Sequence, residues 1–226
     1  MVFHASYLSM TLSFIEILVL SACAAAVGHV EECCRKIKIW MVANKLKLND
    51  DKTEAIICGS NVSLRNVSIK SIKVGDCDIT LSDTIRDFGR FIDSRLTMVP
   101  HIYAVVKACS HHLRVLRQLR PQLNKRTANT VAVSLIQSRL DYCNSCLWSV
   151  RQNLLQRLQQ VQNSAARVVS RVKQWDHISP VLKDLYWLPV NKRIDHKIFS
   201  TTYRCIKGES AIQIIFNIHN NFKAFE

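Results

Sequence analysis

Apolar residues recur at every third or fourth position over much of the chain, a spacing typical of amphipathic helices. The first such segment spans residues 27–47, and its pattern predicts that Trp40 and Leu46 face inward. Pro121 is expected to end a later helix, and Asn124 can cap the helix that follows it. The same spacing predicts further helices over residues 101–119, 125–139, 153–172, 178–185 and 192–207.

Residues 54–93 have a different pattern, in which short runs of β-branched residues alternate with glycine-containing turns. Runs of this kind predict a small antiparallel sheet built from hairpins. The predicted strands lie at residues 56–58, 67–69, 72–74, 78–81 and 87–93. The expected fold class is therefore α+β and mostly helical.

The charge of the chain is strongly basic and unevenly distributed. Lysine and arginine number 31 against 17 acidic residues, and the formal net charge is +14. Residues 101–210 alone hold eighteen basic and five acidic residues. A surface of this kind suits a polyanion such as nucleic acid, because each phosphate contact releases condensed counterions. A basic solubilising surface is the alternative.

Nine cysteines are scattered among apolar residues, and their number is odd. They are interpreted as reduced core thiols of an intracellular protein of the nucleus or cytoplasm, which is not secreted. Cys143 and Cys146 have the spacing of half a zinc site, but no second pair matches it. Because Tyr142 and Trp148 flank them, burial as structural cysteines is expected.

Residues 40–54 combine a helix end with the polar turn Asn49-Asp50-Asp51, and the short apolar strand Ala55-Ile56-Ile57-Cys58 follows them. This segment resembles the one that joins the last two palm elements of the reverse transcriptases of LINE-type (non-LTR, jockey-like) retrotransposons. Segments similar to later parts of the same enzymes follow in the expected order, at residues 86–98, 101–116, 138–145, 158–167 and 185–190. The resemblance thus covers about residues 27–208.

The resemblance implies a partial polymerase palm with a small antiparallel sheet, followed by a helical thumb and a helical extension. The C-terminal part of the palm is expected at residues 27–96, the thumb at residues 97–172, and the extension, with a frayed tail, at residues 173–226. Residues 1–26 are expected to be a non-native or degraded apolar leader. A membrane anchor through residues 7–26 is the alternative, although Glu16 interrupts the apolar run and no basic residue precedes it.

Several residues acquire roles from the resemblance. Lys52 stands where the family has a lysine beside the phosphates of the incoming nucleotide; a solvated turn lysine, vestigial in this chain, is the expected state. Phe88 and Gly89 look like part of the primer-grip hairpin, with a bulge in an edge strand as the alternative. Arg90 replaces a residue that is usually aliphatic in the family.

The thumb is expected to bind nucleic acid through basic residues that line a duplex track. Arg114, Arg117 and Arg120 recur every three residues, which predicts a ridge along one helix. A solvated surface is the alternative interpretation. The full set of candidate basic residues is Lys107, Arg114, Arg117, Arg120, Lys125, Arg126 and Arg139.

Catalysis in this family needs three aspartates that hold paired metal ions for RNA-templated DNA synthesis. Two of these aspartates should form a turn just before Val27, yet Glu16 is the only carboxylate in residues 1–30. The expectation is a truncated, catalytically inactive chain without a cofactor, because magnesium belongs to the intact enzyme. Its expected partners are RNA, DNA or their hybrid. A basic helical module that binds nucleic acid or another protein is the alternative.

Overall fold

The structure, a computed structural model, describes residues 2–7, 10–15, 23–46, 48–49, 52–75 and 77–208. The chain forms two compact units, and the boundary between them falls between His101 and Ile102. Small antiparallel sheets occur in the first unit, and the described part of the chain is mostly helical. Among the described residues, no helix has both the length and the apolar character needed to cross a membrane.

The first unit is a mixture of helices and short strands. Its helices are α1 (Cys23–Ala43) and α2 (Asn61–Arg65). Its strands are β1 (Val2–Tyr7), β2 (Met10–Ile15), β3 (Glu54–Ile56), β4 (Ser71–Val74), β5 (Cys77–Thr80), β6 (Thr84–Asp87) and β7 (Arg90–Asp93).

Helix α1 buries one row of side chains, Val30, Cys34 and Met41, in the core of this unit. Leu46 packs against the same core as predicted, but the prediction that Trp40 faces inward is wrong, since 54% of it is exposed. Successive helical residues are rotated by about 100°. Because Met41 lies in the buried row, its neighbour Trp40 is turned away from the core.

The strands of the first unit form three separate antiparallel sets rather than one sheet. β1 pairs with both β2 and β3, β4 pairs with β5, and β6 pairs with β7. A parallel bridge between Ala55 and Leu81 adds a link between two of these sets. The β3, β4 and β5 predictions are confirmed to within two residues.

Two strand predictions in this unit are wrong. Residues 67–69 are not a strand, because Ser60 caps a short helix just before them and Val67 and Ile69 pack as a loop against the core. Residues 87–93 are not one strand either. Phe88 and Gly89 both have positive φ (46° and 79°) and form the tight turn between β6 and β7. Two left-handed residues in succession give the twist that a two-residue hairpin needs.

Residues 2–7 and 10–15, which belong to the segment 1–26 expected to be a non-native or degraded leader, form two antiparallel strands, and the first of them pairs with β3. Val2 lies opposite Ile56, and His4 lies opposite Glu54. The segment therefore belongs to a sheet of the first unit, while its origin stays a prediction. Residues 16–22, the centre of the alternative membrane anchor, and the predicted frayed tail at 209–226 lie outside the described residues.

The second unit is helical. Its α-helices are α3 (Val99–Leu119, which begins just before the unit boundary), α4 (Lys125–Ala132), α5 (Ser138–Asp141), α6 (Gln152–Ser170), α7 (Ile178–Asp184) and α8 (Val190–Ile206). The predicted helices are confirmed to within two residues, except that the predicted segment 125–139 contains a π-helical stretch at Val133–Gln137. There Ser134 Oγ donates to the Thr130 carbonyl (2.5 Å), a bond that distorts helices.

The helices after residue 172 pack into the same unit as those before it. Gln162 on α6 is fully buried, and its Nε2 donates to the Leu188 carbonyl (2.8 Å). Gln159 Oε1 accepts a bond from the Val190 backbone N–H (2.8 Å), and Arg193 forms an ion pair with Asp141. The predicted boundary between thumb and extension therefore lies within one compact unit.

The N-cap of α4 gives a direct test of the fold. Asn124 Oδ1 accepts a bond from the Thr127 backbone N–H (2.8 Å), as the sequence predicts. Asn124→Ala leaves that N–H without its partner, so we expect the free energy of unfolding to fall by about 1 kcal/mol in urea denaturation. Asn124→Ser is the matched control and should unfold close to the wild-type midpoint. Equal midpoints for the alanine variant and the wild type would contradict the capping role.

Candidate nucleic-acid interface

An open groove runs between α3 and α6 in the second unit. Two adjoining cavities of about 360 and 470 Å³ form it, and both are lined by Arg117, Gln160 and Ser164. The first cavity extends towards the start of the two helices, and the second extends to the residues after α6. The remaining side chains of the first cavity are Val106, Ser110, Leu113, Arg114, Arg157 and Val161. Those of the second are Asn163, Arg167, Val168, Val172 and Gln174.

The lining of the groove is basic and rich in hydrogen-bond donors. Four arginines line it, Arg114, Arg117, Arg157 and Arg167, whereas no aspartate or glutamate is part of either lining. Hydroxyl and amide side chains fill the spaces between them. Guanidinium groups with neutral donors beside them suit phosphate oxygens. Phosphate accepts hydrogen bonds from several directions, and its negative charge balances the positive charge of the guanidinium groups.

Helical periodicity explains how the arginines come to face one groove. On α3, Ser110, Arg114 and Arg117 are four and three residues apart, so they lie along one side of the helix. On α6, Arg157 and Arg167 belong to a similar row with Gln160 and Ser164 between them. Apolar residues one step round each helix enter the core, which fixes the polar rows at the edges of the groove.

Of the predicted basic residues, Arg114 and Arg117 line the groove and are exposed. Lys107 is exposed on α3 but belongs to neither lining. Lys125 forms an ion pair with Asp184, with 2.6 Å between Nζ and Oδ2.

Arg126 and Arg139 are exposed elsewhere. The charge of Arg139 acts on Cys109 and His112, which lie on a different side of α3 from the groove. The predicted set of seven is therefore not a single track.

Arg120 was expected on the same ridge as Arg114 and Arg117, and that prediction is wrong. Only 8% of Arg120 is exposed, and its guanidinium donates to the carbonyls of Val168 (2.9 Å) and Val169 (2.7 Å) at the end of α6. Residues three apart on an α-helix are offset by about 60°. Arg117 is offset from Arg114 in this way, and Arg120, the first residue after the end of α3, is turned further round. With this spacing, Arg120 therefore points into the protein rather than along the surface.

The environment of Arg120 is that of a helix-capping residue. Its Nη1 also donates to the Leu123 carbonyl (2.6 Å), and the Arg171 guanidinium donates to the Arg120 carbonyl (3.0 Å). Burial lowers the pKa of the Arg120 guanidinium from its ordinary value, and the nearby charge of Arg171 lowers the pKa further. The carbonyls at the end of α6 offset this cost because they carry the negative end of the helix dipole.

In the first unit, Lys52 is exposed, and Asp50 and Asp51 of the predicted turn lie outside the described residues. Phe88 and Gly89 form a hairpin turn, so the alternative of a bulge in an edge strand is wrong.

The neighbouring Arg90 forms an ion pair with the buried Asp87, with 2.7 Å between Nη2 and Oδ2.

The burial expected around Cys143 and Cys146 is wrong. Cys146, Tyr142 and Trp148 are exposed, and Cys143 is half-buried with a left-handed φ of 53°. Among the residues that the structure describes, no group of three His, Cys, Asp or Glu side chains is placed to hold a metal ion.

Arg157, Gln160, Ser164 and Arg167 were not among the predicted site residues. Their signal is present in the sequence, since they follow one another at spacings of three, four and three residues beside an apolar row. Only the position of α3 opposite them distinguishes this polar row from an ordinary solvated surface.

A scan against protein-family models, a search of curated proteins and a search of solved structures found no match to this chain.

The different environments of Arg120 and Arg117 give a paired test. We expect Arg120→Met to lower the free energy of unfolding by about 3 kcal/mol, because buried carbonyls lose charged donors. Arg117→Met changes an exposed side chain and should stay within about 0.5 kcal/mol of wild type. Urea denaturation followed by circular dichroism measures both. If Arg120→Met were as stable as the wild type, Arg120 would not stabilise the fold by capping the end of α6.

Proposed function

We propose that the chain corresponds to the rear of the palm and the thumb of a LINE-type reverse transcriptase, and that its helical unit binds nucleic acid. The observation that carries the binding proposal is the α3–α6 groove, in which four arginines face one opening that no carboxylate lines. The parent activity in this proposal is RNA-templated DNA synthesis. The ligand is RNA, DNA or their hybrid.

The family part of the proposal has separate support. It rests on the segments at residues 40–54, 86–98, 138–145, 158–167 and 185–190, which follow one another as in the family. An α+β unit followed by a helical unit is the order that the resemblance implies for palm and thumb. The hairpin with its turn at Phe88 and Gly89 lies where the primer grip is expected.

Binding in the groove follows from electrostatics. Phosphate oxygens accept bonds from Arg114, Arg117 and Arg167, and each contact displaces condensed counterions from the nucleic acid. The amides of Gln160 and Asn163 and the hydroxyl of Ser164 add neutral donors between the charges. Because such contacts go to the backbone of the nucleic acid, they fix its position without selecting a sequence.

Polymerase chemistry is not part of the function proposed for these 226 residues. Activation of a primer hydroxyl requires carboxylates that hold two metal ions. The segment in which the family has its paired aspartates contains Glu16 as its only carboxylate. Lys52 would then retain the position of the phosphate-side lysine without its catalytic surroundings.

The salt dependence of binding tests the groove. With a fluorescein-labelled oligonucleotide, we expect affinity to fall steeply between about 50 and 200 mM salt. Arg117→Gln should weaken binding and reduce the slope of log K against log salt by about 0.7 to 0.9, the contribution of one phosphate contact.

Arg204→Gln is the matched control for that measurement. Arg204 is exposed on α8 and lines neither cavity, so the slope should stay at the wild-type value. A flat salt response, or equal losses in the two variants, would contradict binding in the groove.

Primer extension tests the proposed inactivity. The purified chain, supplied with magnesium, deoxynucleotides and a primed RNA template, is expected to give no product above a protein-free background. An active reverse transcriptase on the same template is the positive control. The same preparation must bind the labelled template, so that misfolding is excluded. Extension that follows the chain through repeated purification would refute the inactivity.

A further inference from the structure

The groove ends beside an exposed aromatic side chain, Tyr103, which carries no charge and is not needed for phosphate binding. Tyr103 lies on α3 three residues before Val106, on the side that continues through Ser110 and Arg114. It is 47% exposed although it is a large aromatic residue. The row of groove residues on α3 therefore starts with an aromatic ring and continues with hydroxyl and guanidinium groups.

Arg157 connects this ring to the groove. Its guanidinium carbon lies 4.9 Å from the centre of the Tyr103 ring, and the same side chain lines the first cavity. A cation at this distance over a ring is held by the negative charge of the π face. The Arg157 guanidinium thus lies over one face of the Tyr103 ring, and Tyr103 remains about half exposed. These two side chains are called the Tyr103–Arg157 platform.

Flat aromatic and guanidinium groups bind nucleic-acid bases by stacking. In a duplex the bases are already paired and stacked, so a platform of this kind gains little from it. An unpaired base has free faces. The distance along α3 from Tyr103 to Arg117 is about 21 Å at 1.5 Å per residue, which accommodates several nucleotides of a single strand.

We infer that the α3–α6 groove is a site for single-stranded nucleic acid, whose phosphates contact Arg114, Arg117 and Arg167 while an unpaired base stacks on the Tyr103–Arg157 platform. This inference rests on the proposed function and adds the ligand class to it. RNA and DNA single strands share the chemistry that the site recognises. The phosphate contacts supply salt-dependent affinity, and the platform supplies preference for unpaired bases.

The test uses the full chain and labelled oligouridine, oligodeoxyuridine and a blunt duplex of equal length. We expect both single strands, or one of them, to bind more tightly than the duplex. Tyr103→Leu should weaken single-strand binding by about five- to 150-fold, the range for loss of one stacking contact. Tyr103→Phe keeps the ring and should bind within about twofold of wild type, since stacking needs no hydroxyl.

Three readouts separate stacking from loss of fold or of charge. Circular dichroism melts check that Tyr103→Leu is folded, and Tyr103→Phe provides a second variant in which the ring is retained. Duplex affinity should be the same in both variants and the wild type. The salt slope should also be unchanged by Tyr103→Leu, because tyrosine carries no charge, whereas Arg117→Gln lowers it.

The outcomes for the two proposals are distinguishable. Salt-dependent binding with equal affinity for single strand and duplex, and no effect of Tyr103→Leu, would overturn the single-strand inference and leave the proposed function standing. No salt-dependent binding to any of the three ligands would overturn both. Polyglutamate that competes as well as oligouridine at equal charge would also overturn the inference, because it has no bases to stack.

Discussion

The groove depends on one interaction, the insertion of the Arg120 guanidinium into the C-terminal end of α6. The last carbonyls of a helix have no partners within it, and Arg120 supplies donors to those of Val168 and Val169. Arg171 donates in return to the carbonyls of Arg120 and Pro121. Because these reciprocal bonds join the ends of α3 and α6, the polar rows of the two helices are held opposite each other along the groove.

Some of the described cations of the second unit are paired with carboxylates and others are not. Some lysine and arginine side chains outside the groove form ion pairs, as Lys125 does with Asp184 and Arg193 with Asp141. Among the described residues, none of the four groove arginines forms an ion pair with a carboxylate. Like charges held near one another repel, and this repulsion does not stabilise the folded state unless an anion binds between them. In the proposed function, a polyanion bound in the groove offsets this repulsion between the arginines.

Sequence periodicity predicted most helices of the second unit, because each has one apolar row and α4 has a recognisable cap in Asn124. The prediction for Arg120 was wrong, because residues spaced by three can form a ridge on the surface or a row whose last member contacts a neighbouring helix. Only the position of α6 distinguishes the two. The prediction that Trp40 faces inward was wrong for a similar reason, since the sequence pattern allows either Trp40 or Met41 to continue the buried row of α1. The turn at Phe88 could not be foreseen from propensity, because a bulky residue rarely adopts positive φ. The groove needed tertiary structure, since neither of its rows is distinctive alone.

The proposed ancestry and the proposed binding are separable. The proposed relation to reverse transcriptases depends on the order of short segments, whereas the proposed binding depends on how α3 and α6 face each other. A thumb that once followed a duplex would need cations along its surface but no aromatic platform at the end of its groove. Tyr103 and Arg157 provide such a platform, and stacking is insensitive to salt while phosphate contacts are not. In the proposed site the two contributions therefore act differently: the arginines set how tightly any nucleic acid is held, and the platform sets the preference for unpaired bases.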